Sequence, residues 1–145
     1  MKKTLIVIDM QNDFIDGSLG TAEAVKIVPN VRKKIEEYRS NGDEIIFTRD
    51  THGEDYLSTP EGKKLPVVHC VKNTHGWQIA DGLDVPDAIH IDKPSFGYTH
   101  WDKFCFEKVE LVGLCTDICV VSNALILKAL FPNAEISVDS ACCAG

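Results

Sequence analysis

Cys119 stands where a thiol is readily activated. Val109, Glu110, Leu111 and Val112 read as a buried strand, Gly113 and Leu114 end it, and a long apolar helix is predicted to begin near Thr116 or Asp117. That puts Cys119 in the first turn of a helix, just past the carboxyl end of a strand. Free backbone N–H groups and the positive end of the helix dipole meet there. Both favour a thiolate over a thiol, and the same N–H groups can hold a developing oxyanion. The chemistry this suggests is nucleophilic attack by cysteine. Other reactive side chains occupy comparable places. Asp9 follows one apolar run, Asp50 and His52 follow a second, and Lys93 follows a third. Singly, each has a plain structural reading: a small core cysteine, a turn-capping aspartate, a solvated lysine, a loop histidine bonded to backbone. Four reactive types at four equivalent strand ends are much less expected by chance than any one of them.

The elements that must carry these residues can be placed from periodicity. Thr4 to Ile8 is a continuous apolar run, as expected for a strand buried on both faces of a parallel sheet. Pro29 suits the first turn of a helix that carries Val31, Ile35 and Tyr38 on one side and stops at Asn41-Gly42. Further strands are predicted over 44–48, 88–91, 109–112 and 134–138. Residues 50–87 read as irregular, with short helices near Thr59-Pro60-Glu61 and within 75–83. The helix over 117–130 is apolar nearly all round, which predicts a central position. Alternating strands and helices imply an α/β fold with a mostly parallel sheet, whose ligands bind beyond the carboxyl ends of the strands.

The chain of 145 residues suits one domain with a real core. A formal net charge of −7 argues against nucleic acid and anionic membrane surfaces as partners. No stretch approaches the ~20 apolar residues of a membrane span. The amino-terminal apolar run is interrupted by Asp9 and is too short for a signal peptide. The six cysteines therefore read as reduced thiols of a cytoplasmic protein, and no CxxC pair suggests a zinc ribbon or a thioredoxin-like site.

The segments Leu5 to Phe14, Thr48 to His52, Leu65 to Val71, Lys93 to Phe96 and Gly113 to Val120 together resemble the isochorismatase-like cysteine hydrolases, and among them the nicotinamidases. Their order matches that family and they cover most of the chain. The resemblance implies a three-layer αβα fold and a catalytic triad of Asp9, Lys93 and Cys119, with an oxyanion hole from backbone N–H groups at Thr116 and Cys119. It also implies a cis peptide before the threonine of the turn, here Cys115–Thr116. Independent chemistry agrees with the triad. Lys93 and the helix end would favour the thiolate, and Asp9 can take the thiol proton and pass it to leaving ammonia.

Asp50 and His52, two apart, share a side of an extended segment, and His69 adds a second imidazole. Two histidines and a carboxylate suit zinc, iron or manganese. The resemblance carries a divalent metal onto Asp50, His52 and His69, with Glu61 where some relatives have a fourth ligand, and zinc or iron as the leading choices. Branches without the metal tend to lack the histidine pair, so the pair argues for nicotinamide as substrate rather than isochorismate. Phe14 and Trp77 are candidate pocket walls for an aromatic ring; Phe96, Tyr98 and Trp101 are expected to pack. Family members often form homo-oligomers. They also continue past the fifth strand with a helix and often a strand, so the chain is expected to be truncated after Gly145 or to expose a sheet edge there. Other openings are the same chemistry on another small amide or an enol ether, or a non-enzymatic ligand-binding relative.

Overall fold

The computed structural model describes residues 1–145 as a five-stranded, all-parallel sheet flanked by helices. The elements run β1 (Lys3–Ile8), α1 (Asn12–Ile15), α2 (Ala22–Ser40), β2 (Glu44–Asp50), α3 (Pro60–Lys64), β3 (Ile89–Lys93), β4 (Lys108–Leu114), α4 (Val121–Leu130) and β5 (Glu135–Ala144). The strand order is β3-β2-β1-β4-β5. From β1 the chain proceeds outward to β2 and β3, then returns to the other side of β1 for β4 and β5. The order thus reverses between β1 and β4, and such a reversal opens a crevice at the carboxyl ends of the strands. Asp9 and Cys119 follow the two strands that flank it.

Alternation along β1 splits the core. Leu5 and Val7 face α2 with Val31, Ile35 and Phe47, while Ile6 and Ile8 face the other layer with Ile46, Trp101, Val120 and Leu127. All of β1 from Leu5 to Ile8 is fully buried, which is why it reads as unbroken apolar sequence. Gly113 lets β4 lie close to β1. Its φ is +124°, and a Cβ there would come within 2.1 Å of the Ile8 carbonyl oxygen.

Three expectations are corrected. Pro29 lies inside α2 rather than in its first turn; the helix starts at Ala22, where the Thr21 hydroxyl accepts from the Ala24 N–H at 3.0 Å. Pro29 is exposed, so water can satisfy the carbonyl one turn earlier that its missing N–H leaves free. The apolar helix after Cys119 is not central. Only Asn123 and Leu127 of α4 are buried, and Leu125 is 67% exposed, because one layer alone covers it. The cis peptide is Leu114–Cys115, one bond earlier than expected. No helix is long and apolar enough to cross a membrane.

Candidate active site

The ends of β1, β3 and β4 converge. Asp9 and Lys93 are completely buried, and Lys93 Nζ donates to Asp9 Oδ2 at 2.7 Å and to the Ser95 carbonyl at 3.1 Å. The other Asp9 oxygen accepts from the Thr48 hydroxyl at 2.7 Å, and the Asp9 N–H donates to the Thr48 carbonyl at 3.1 Å. Asp9 has φ +50°, a left-handed conformation that aspartate tolerates better than most residues, and leaves the strand there. Cys119 lies in a π-helical turn over Thr116–Val120, between β4 and α4, rather than in the first turn of a long α-helix. The Cys115 carbonyl begins this turn, accepting from the N–H groups of Ile118 and Val120.

The charges set the resting protonation. Burial raises the Cys119 thiol, the Asp9 carboxylate raises it further, and Lys93 offsets only part of this. The cysteine therefore rests as a thiol, contrary to the expectation of a thiolate set up by Lys93 and the helix end. Burial likewise raises Asp9 above the usual carboxylate range, against the pull of Lys93 and Thr48. For Lys93 burial acts downward, but the Asp9 charge reverses it, so the ammonium persists. A buried carboxylate of raised basicity beside a buried thiol is a base waiting for a proton.

The second cluster forms at the end of β2. Ligand atoms of Asp50, His52, Glu61 and His69 all lie within 4.8 Å of one another. Asp50 Oδ2 is 2.8 Å from His52 Nε2 and 3.4 Å from His69 Nε2; Glu61 Oε2 is 3.4 Å from His52 Nε2. The His69 Nδ1–H donates to the Val67 carbonyl at 2.7 Å, which turns Nε2 toward the cluster. Asp50 Oδ1 is the one buried side-chain polar atom without a hydrogen-bond partner. Two carboxylates, two imidazoles and an orphaned carboxylate oxygen fit a divalent cation, which would complete all of them.

Residues that sequence reasoning passed over hold this cluster. Gln11, fully buried, pairs with both backbone groups of Asp50: Oε1 accepts from its N–H at 2.8 Å and Nε2 donates to its carbonyl at 2.9 Å. Tyr56 packs its ring against both His52 and His69, at 4.7 and 4.9 Å between centroids. Asp13 accepts from the Cys70 N–H at 2.8 Å, next to His69. Tyr56 carries no sequence signal beyond being a tyrosine near a histidine, whereas Gln11 and Asp13 lie in the same motif as Asp9.

A cavity of about 200 Å³ joins the two clusters. Phe14, Leu19, Leu65, Phe96, Cys115, Ile118 and Cys119 form its largely apolar walls, with Asp50, Glu61 and His69 at the polar side. Phe14 thus sits where a pocket wall was expected. Trp77 does not. Its indole N–H donates to Thr51 Oγ1 at 2.9 Å, and its ring lies under the Arg49 guanidinium at 4.2 Å, away from the cavity lining. Phe96, expected to pack, instead lines the cavity and is 42% exposed, whereas Tyr98 and Trp101 are buried.

Residues 3–145 match the isochorismatase domain family. The chain belongs to that family. Among its similar isochorismatase-domain relatives is the nicotinamidase of Saccharomyces cerevisiae, 28% identical, aligned over 94% of this chain and 86% of the yeast protein. Solved structures that share the isochorismatase fold include the pyrazinamidase of Pyrococcus horikoshii in complex with zinc, at 29% identity and TM-score 0.86, covering 100% of this chain and 87% of the other. The N-carbamoylsarcosine amidase from Thermoplasma acidophilum superposes as well, at 30% identity and TM-score 0.85, covering 100% and 85%.

Proposed function

We propose that this protein, as a single hydrolase domain, converts nicotinamide to nicotinate and ammonia through a Cys119 thioester. The observation that carries the reading is one small apolar cavity with the Asp9–Lys93–Cys119 group on one side and a metal-compatible cluster on the other. Nicotinamidase and pyrazinamidase relatives act in the same direction. The cavity is smaller than the ~300 Å³ at which drug-sized sites begin, which suits a single ring. No lysine or arginine lines it, so a substrate with two carboxylates, such as isochorismate, would find no cationic side chain to pair with. A neutral amide meets no such cost.

In this reading Asp9 takes the Cys119 proton as sulfur bonds the carboxamide carbon, and the carbonyl π electrons move to oxygen. Backbone N–H groups of Thr116 and Cys119 hold that oxyanion. Asp9 returns the proton to nitrogen as the C–N bond breaks, releasing ammonia and leaving the thioester. Asp9 then removes a proton from water, whose oxygen attacks the thioester carbon; the C–S bond breaks, and the thiolate is reprotonated. Lys93 keeps its charge throughout and holds Asp9 in place. Asp50, His52, Glu61 and His69 would hold a divalent metal, zinc or iron, which would supply a Lewis-acidic anchor for the ring nitrogen. All six cysteines are free thiols, consistent with a reducing, cytoplasmic setting.

The test is ammonia release from nicotinamide by purified, metal-analysed protein, with Cys119→Ala alongside. Release by the wild type alone supports the reading. No release from folded, metal-loaded protein overturns nicotinamide as substrate. The likeness to an N-carbamoylsarcosine amidase then makes other small amides and ureido compounds the next substrates to assay.

A further inference from the structure

Asn123 is the fully buried polar residue of the mostly apolar α4 and uses its whole hydrogen-bonding capacity. Its Oδ1 accepts from the Tyr98 N–H at 2.8 Å and the Trp101 indole N–H at 3.0 Å. Its Nδ2 donates to the Phe96 carbonyl at 3.1 Å and to the Cys119 carbonyl at 2.8 Å. The partners settle which end is oxygen, because two can only donate and two can only accept. One side-chain amide therefore ties the nucleophile's own carbonyl to the segment that runs on from Lys93. Gly97, in the middle of that segment, lies directly on the helix: a Cβ there would be 2.6 Å from Ile126 Cδ1. Phe96, just before it, lines the cavity beside Cys119 and Ile118 while staying half-exposed. Phe96 belongs to neither core cluster, so its backbone does much to set its place, and its carbonyl is held by Asn123.

We infer that Asn123 is a positioning residue that seats the Phe96 segment on the cysteine helix and so sets the site's preference for a flat aromatic ring. This rests on reading the cavity as a ring pocket, as proposed above. It does not need the amide to be nicotinamide.

The experiment compares alkylation of Cys119 by iodoacetamide and by N-benzyl iodoacetamide, followed by peptide mass spectrometry so that the exposed Cys105 does not confuse the count. The ratio of the two rate constants reads the ring pocket; the iodoacetamide rate alone reads the nucleophile. Asn123→Thr keeps a hydroxyl able to bond the Cys119 carbonyl and releases the 96–101 segment. It should lower the benzyl preference about tenfold, the scale of a lost apolar contact in a pocket, with the iodoacetamide rate nearly unchanged. Gly97→Val, whose branched side chain would meet both Ile126 and Ser122 of the helix, should lift the same segment and do likewise, and it decides the matter if Asn123→Thr does not fold. Phe96→Ala should reproduce the loss, and adding Asn123→Thr to it should lower the ratio no further. An unchanged ratio in Asn123→Thr or Gly97→Val, or equal slowing of both reagents, overturns the inference. Neither reagent is turned over, so the result stands whether or not nicotinamide is hydrolysed.

Discussion

The two halves of the site are built on opposite principles. At the triad, each charge meets its partner inside the protein: Asp9 has Lys93 on one oxygen and Thr48 on the other, with no solvent exposure. At the histidine cluster, carboxylates face imidazoles at 2.8 to 3.8 Å, only one of the four contacts is short, and one buried oxygen of Asp50 has nothing to bond. The triad's charges sit at strand ends; of the cluster, only Asp50 does, and the remainder come from the connection between β2 and β3, Glu61 from α3 and both histidines from its irregular parts. One half is complete as folded, and the other has the composition that a bound cation would complete. A buried pair that neutralises itself tunes a proton transfer, whereas an acidic nest left open recruits a cation.

The largest expected effect breaks only the first half. Cys119→Ala should lower turnover of the amide substrate on the order of 10⁴-fold or more, with metal content unchanged by elemental analysis. Lys93→Met should strand the Asp9 carboxylate in the core and cost about 3–5 kcal/mol in chemical denaturation. His69→Ala in metal-free protein should cost less stability than this, because Asp50 keeps His52 at 2.8 Å and loses only its longer 3.4 Å contact with His69. A stability loss from His69→Ala as large as that from Lys93→Met would erase the contrast. Loading the chelator-treated protein with zinc at a hundred times its dissociation constant should add about 2.7 kcal/mol of stability, read as a rise in Tm that Cys119→Ala retains and His69→Ala loses.

The pH profile sharpens the comparison further. Burial raises Asp9, so as pH falls through that raised value Asp9 binds a proton and can no longer accept the one from Cys119. The acid limb of kcat/KM should therefore lie above the ~4 of an ordinary aspartate, and a limb at or below that value would contradict Asp9 as the base. The smallest effect is expected at the wall: Phe14→Leu should raise KM for an aromatic amide a few-fold with little change in kcat.

Much of this was legible in the sequence wherever local pattern and function coincide. The unbroken apolar run of β1 is visible because both faces are covered, and reactive residues after β1 and β4 are visible because strand ends are where such sheets do chemistry. Asn123 was not legible, since three of its four partners lie 22 to 27 residues earlier in the chain and a lone asparagine in a mostly apolar helix gives no hint of them. Trp77 misled because an aromatic near a motif does not show that Arg49 and Thr51 will claim it. The resting state of Cys119 misled for a different reason. Its lysine and helix end can be seen in sequence, but the burial that outweighs them belongs to the assembled molecule. In α4, composition suggested a central helix, and only the layer count shows that one face is open.

The ion pair of Lys93 with Asp9 joins residues 84 apart, and Cys119 is more distant still. Contacts that close such long stretches of chain form slowly, because loop entropy must be overcome before they repay it. The 19 residues of α2, by contrast, need only their neighbours to begin coiling. During refolding from denaturant, helical signal should thus return well before Cys119 regains its native reactivity. The nucleophile is a clock for the completion of the sheet, and a nascent or damaged chain that lacks the finished sheet carries a cysteine but no catalyst.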